Sequence, residues 1–125
     1  MNQWFGIGNL GSDPTLRSTA SGRSVLNFSI AVDRMVRTPS TDGGTGTVKR
    51  VPDWIPVVVF GDAADHQAKY LQKGTKVAVT GSLRPRTYTD KQNIEHHTFE
   101  VQADRIDWLG NVRSPDAVAD EDTVG

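Results

Sequence analysis

Apolar and polar positions alternate along most of this chain and change period in one place. From Ser24 to Arg34, Leu26, Phe28, Ile30 and Val32 alternate with Val25, Asn27, Ser29 and Ala31, the two-residue period of a strand with one apolar face. From Trp54 to Phe60, Ile55, Val57 and Val59 share one face, and Trp54, Pro56, Val58 and Phe60 share the other. Residues Ala63–Leu71 have helix composition and are stopped by Lys73-Gly74. Beyond them Val77, Val79, Gly81 and Leu83 form an inner face, which leaves Lys76, Ala78, Thr80, Ser82, Arg84, Arg86 and Tyr88 facing out. The last strand spans Ile94–Ile106, with Phe99, Val101 and Ala103 opposed to Thr98, Glu100 and Gln102.

A short first strand, Met1–Asn9, precedes these and ends at Leu10-Gly11 and the Asp13-Pro14 turn. Its rings Trp4 and Phe5 are read as core or subunit packing, and the same holds for Trp108 and Leu109 after the last strand. Val36–Val48 is rich in Gly, Thr and Ser and reads as a long loop. A second loop, Tyr88–Asn93, contains Lys91. Five strands with one helix between the third and fourth is the order of an all-β OB-fold, a five-stranded Greek-key barrel whose face and loops bind single strands.

Charge changes this picture only locally. The 125-residue chain carries a net charge of −1. Residues 1–109 hold 13 basic and 11 acidic groups, while residues 110–125 set Arg113 against Asp116, Asp120, Glu121 and Asp122. The expected organisation is one domain over residues 1–109 and a disordered acidic tail over residues 110–125. Such a mild surplus makes binding depend on where cations sit and on stacking. No apolar run of 18 residues and no basic-then-apolar leader marks the chain for a membrane or for export. Zero cysteines exclude disulfides and thiolate metal sites.

The outward parity is where the chemistry lies. If the strands carrying them are neighbours, Trp54, Phe60, Arg84, Arg86 and Tyr88 form one patch of rings edged with positive charge. Rings on that parity need a reason other than packing, because Val57, Val59, Val77, Val79 and Leu83 already supply the core. Flat rings accept bases of any identity and guanidinium groups hold the phosphates between them, a combination suited to single strands and not to duplex. The Val36–Val48 loop is flanked by Arg34, Arg37, Lys49 and Arg50, a basic arm able to close over a strand. His66, His96 and His97 do not make a metal site, since adjacent His96 and His97 point to opposite faces. HExxH, GxSxG and the Walker-type loop are absent, and Asp62 and Asp65 suit a helix N-terminus. Neither an enzymatic activity nor a cofactor is expected.

The motifs GNLGSDP, GRSVLNFSIAV, WxxVVxFG, YLxKG, VxVxGxL and RxYTD, in this order over roughly Met1–Leu109, resemble the bacterial single-stranded DNA-binding protein family. The resemblance implies base stacking on Trp54, Phe60 and Tyr88. It implies phosphate contacts by Lys73, Arg84 and Arg86, with Arg34, Arg37, Lys49, Arg50 and Lys91 on the loops. It further implies sequence-independent protection of single strands in replication, recombination and repair, a homotetramer, and a cytoplasmic, nucleoid-associated setting. Departures are Asp62 where a basic residue is common, no aromatic near Met35 or Val36, and an end at Thr123-Val124-Gly125 without a Pro-Phe tip. That ending fits a shortened chain or a shorter paralogue, and protein partners recruited through the tip are not expected. The alternatives are an OB-fold module for a protein partner or structured RNA, indifferent to Trp54, Phe60 and Tyr88, and a hydrolase dependent on its histidines.

Overall fold

A computed structural model describes residues 1–40 and 43–113, so most of the acidic tail read from the sequence lies outside the described residues. In chain order the elements are β1 (Trp4–Leu10), β2 (Thr15–Ser18), β3 (Ser24–Thr38), β4 (Thr47–Phe60), α1 (Asp62–Tyr70), β5 (Lys76–Thr89) and β6 (Glu95–Gly110). Strands β1, β5, β6, β4 and β3 pair in that order, and β1 returns to β3 through Asn9 opposite Ala31 and Leu10 opposite Ile30. That last pairing closes a five-stranded ring. With one helix between its third and fourth strands, the ring is the OB-fold.

The ring is filled by the inward parity of each strand. Leu26, Phe28 and Ile30 of β3 meet Val57 and Val59 of β4, Val77 and Val79 of β5, and Val101 of β6. The helix caps one end of this core with Ala64, and Leu71 follows it in; both are fully buried. Asp62 and Asp65 lie in its first turn, where carboxylates suit the free amides, and Lys69 lies in its last. Trp108 packs over the same helix, its ring 4.6 Å from that of Tyr70 and 5.7 Å from that of His66, and its indole N–H donates to Gln67 Oε1 at 2.7 Å. Trp4 packs against the core, whereas its neighbour Phe5 is 62% exposed. Among the described residues Thr75 is the fully buried polar one; its hydroxyl donates to the Asn111 carbonyl at 2.8 Å and accepts from the Gln72 amide at 3.1 Å.

Three features depart from the sequence reading. The long loop is shorter than expected, because β3 and β4 pair continuously from Val25 opposite Phe60 out to Thr38 opposite Thr47. Backbone pairing in a ribbon needs no continuous apolar face, so the largely polar residues 36–38 and 47–53 extend the strands instead of ending them. Strand β2 is absent from the sequence reading: its four residues are all exposed, and they are ordered by pairing with Ser24–Asn27. Third, the strands carrying the rings and the arginines are not neighbours, since β6 runs between β4 and β5. Parity fixes which face a residue takes, but strand order is a long-range choice that parity cannot show.

Candidate nucleic-acid interface

Across the outer face the register aligns Asn27 of β3 with Val58 of β4, Val58 with Gln102 of β6, and Gln102 with Ser82 of β5. The ladder between β4 and β6 comprises Val57 opposite Val101 and Val58 opposite Gln102, while each outer ribbon stays paired to its tip. The ribbons β3–β4 and β5–β6 therefore separate beyond this line and flank an open groove. Ser12, Asp13, Asn27, Ser29, Pro56, Arg86 and Glu100 are among its lining residues.

The three expected stacking residues lie at separate places around this face. Trp54, opposite Ala31, is 56% exposed, and its ring lies over Gly11. Phe60 is half-buried at the far end of β4, beneath the guanidinium of Arg23, whose Cζ is 4.9 Å from the ring centroid. Tyr88 lies on the other ribbon, stacked on His96 with centroids 4.9 Å apart and planes 17° from parallel. The Arg86 guanidinium approaches the same ring at 5.6 Å. Tyr88 thus already has two ring partners, His96 and Arg86, while 45% exposed.

Asp90 anchors the turn behind Tyr88. Its carboxylate meets His96 Nε2 at 2.7 Å and accepts the amides of Gln92 and Ile94 at 2.9 Å. The His96 bond, then the Ile94 amide, hold this carboxyl below its ordinary range. His97 lies on the other side of the ribbon beside Thr87, as adjacent strand residues must. Among the described residues no group of three or more His, Asp or Glu side chains is placed to hold a metal ion.

Several cations expected to meet phosphate already face carboxylates. Arg34 donates through Nε to Asp53 at 3.0 Å and through Nη2 at 3.3 Å, on the ribbon side opposite Trp54. The Asp53 hydrogen bond and charge raise its pKa further above the ordinary arginine value. Arg50 lies 3.6 Å from Asp33, and Arg86 lies 3.8 Å from Glu100. Arg84 donates to the Ser82 hydroxyl at 3.2 Å. Arg37, Lys49 and Lys91 are exposed on the ribbon tips, and Lys73 is exposed on the loop whose amide donates to Asp13. None of these last four is in an ion pair with a described residue.

Four residues of this face escaped the sequence reading. Arg23 over Phe60 is separated from it by 37 positions, and Gly11 under Trp54 by 43, so neither had a local signal. Met35, opposite Arg50 on the ribbon side of Trp54, is exposed and supplies an apolar surface where no aromatic stands. Glu100 was placed on the outer parity without a role, although its register opposite Arg84 could have been counted from the Asp90 turn.

A barrel of this topology, with exposed rings and arginines on one outer face, defines a binding module for unpaired nucleic acid. Residues 1–109 match the Single-strand binding protein family, and the chain belongs to it. It is also similar to Single-stranded DNA-binding protein 1 of Xylella fastidiosa (strain 9a5c), with 34% identity over 132 residues that cover 98% of this chain and 94% of that protein.

Proposed function

We infer that this protein binds single-stranded DNA by stacking bases on exposed rings while arginines and lysines hold the phosphates. Membership of the single-strand binding protein family and the similarity to a single-stranded DNA-binding protein support this, and they make it a binding protein and not an enzyme. The observation that carries the reading is the parity of Trp54, Phe60 and Tyr88: all three project from the outer face of a barrel whose core is filled without them. A π-face serves every base, so sequence preference is slight. The role is protection of strands exposed during replication, recombination and repair, in the cytoplasm on the nucleoid.

Residues 1–109 act as the DNA-binding domain. Trp54, Phe60 and Tyr88 are the stacking residues. Arg84, Arg86, Lys73, Arg34, Arg37, Lys49, Arg50 and Lys91 form the phosphate track, in which Arg34 takes the smallest part because Asp53 holds it. The expected assembly is a homotetramer, and β1 offers one subunit contact for it: from Trp4 to Ile7 one edge pairs with β5, the other pairs with no described strand, and Phe5 and Ile7 are exposed. Among the described residues no helix is long and apolar enough to cross a membrane.

Titration of tryptophan fluorescence with oligo-dT and with duplex of equal length, at two salt concentrations, tests the reading. Quenching by oligo-dT alone, weakened by salt and lost in the Trp54→Ala, Phe60→Ala double variant, is expected. Equal response to duplex, or affinity unchanged in that variant, overturns it in favour of a protein- or RNA-binding module. Sedimentation of the free protein measures the assembly.

A further inference from the structure

Strand β6 brings a carboxylate into the middle of the proposed DNA path. Glu100 is directly opposite Arg84, lines the groove with Arg86, and points its Oε1 to within 3.8 Å of Arg86 Nη1. Its side chain is only 20% exposed, so its place is set by the strand around it. On the other ribbon Asp33 lies opposite Pro52 on the Trp54 side and reaches Arg50 at 3.6 Å. Each carboxylate lies beside a guanidinium that a phosphate would approach.

We propose that Glu100 and Asp33 are built-in competitors of the DNA backbone, which hold Arg86 and Arg50 in position while the site is empty and lower affinity for single strands. The proposal rests on the single-stranded DNA reading given above. A phosphate that approaches Arg86 competes with Glu100 for the guanidinium and sets a second anion beside that carboxylate. The exchange trades one ion pair for another, so little net attraction is gained at these two arginines. The protein then releases strands more readily than its count of cations suggests, and the number of phosphates neutralised is smaller than the number of arginines on the face. Stacking carries a correspondingly larger share of the binding.

The test is oligo-dT affinity as a function of salt for the full chain and for Glu100→Gln, Asp33→Asn and the pair together. Both substitutions keep the shape and remove the negative charge, turning one acceptor oxygen into an N–H donor. Each is expected to tighten binding about two- to fivefold, the range of an exposed ion pair. Each also steepens the slope of log affinity against log salt by up to about 0.7, the increment for one further phosphate contact on a single strand. Asp107→Asn is the control, because it removes the same charge and frees Arg105, 3.1 Å away, near the far end of the same strand. It is expected to leave affinity and slope within error of the parent. Arg86→Gln combined with Glu100→Gln must show a smaller gain than Glu100→Gln alone, since the effect passes through Arg86. Equal slopes in parent and Glu100→Gln, or an equal gain from Asp107→Asn, overturn the proposal while Trp54-dependent binding leaves the function intact. Absence of oligo-dT binding by the parent overturns both.

Discussion

The indole of Trp54 lies directly on the backbone of Gly11: a Cβ at position 11 would stand 2.4 Å from Cζ3 and 2.7 Å from Cη2 of the ring. These residues belong to different elements, the end of the first strand line and the middle of β4, and Trp54 remains 56% exposed. Gly11→Ala therefore forces the ring to move without altering any charge. Loss of part of the stacking contribution is expected, about threefold to tenfold in oligo-dT affinity given roughly 1–3 kcal/mol per stacked base. Thermal unfolding should change little, because the site is exposed. Parent-like quenching and affinity in Gly11→Ala would show that the indole has another route to the base.

The three rings are unequal. Trp54 is 56% exposed, whereas Tyr88 stacks on His96 and is approached by Arg86. A base stacking on Tyr88 competes with these two partners for the ring, which offsets part of the gain. Trp54→Ala is thus expected to weaken oligo-dT binding by about 1–3 kcal/mol, and Tyr88→Ala by less than half of that. Matched titrations of the two variants decide the order.

Much of this site could be read from alternation alone. The parity of Leu26, Phe28 and Ile30 marked the core, and that of Trp54, Phe60, Arg84 and Arg86 marked the outer face. Both follow from the pleat, which acts within one strand. Strand order, which sets β6 with Glu100 between the rings and the arginines, depends on contacts between distant segments and left no periodic trace. The Arg34–Asp53 pair lay between these extremes. Once the ribbon is known to turn near residues 39–46, counting the register puts the two charges on one side. Reading the turn as a thirteen-residue loop concealed it.

Asp90 gives the second hairpin a dependence on acidity. Its carboxyl is held below the ordinary range by His96 and by the Ile94 and Gln92 amides. A carboxylate of lowered folded-state pKa adds stability that is complete above its unfolded value, near 4, and lost as pH falls through the lower folded value. Protection of the Gln92 and Ile94 amides from exchange should therefore fade below about pH 4, and should be absent at all pH values in Asp90→Ala. A carboxyl resonance of Asp90 titrating at or above the ordinary aspartate value contradicts this.

Thr75 is a structural test of the barrel's closed end. Thr75→Val keeps the volume but removes both hydroxyl bonds, leaving the Asn111 carbonyl and the Gln72 amide without that partner. A loss of about 1–3 kcal/mol in unfolding free energy is expected, with Thr75→Ser closer to the parent. Denaturant midpoints of the two variants make the comparison. Oligo-dT affinity should not change in either, because the residue is fully buried away from the groove.

The ring of strands is completed by partners far apart in the chain: Trp4 sits opposite Gly81, and the Asn2 side chain makes two hydrogen bonds to the Leu83 backbone, 81 residues away. A ribosome making this protein must therefore release the first strand long before anything can cover it. The β3–β4 ribbon, whose partners are local, can assemble at once, while Trp4 stays uncovered and the backbone of Trp4–Gly8 unpaired until β5 emerges. Loop-closure entropy makes that late step the slow one. Pulse-labelled amide exchange during refolding is expected to show protection in β3 and β4 before β1 and β5, and simultaneous protection would rule that order out.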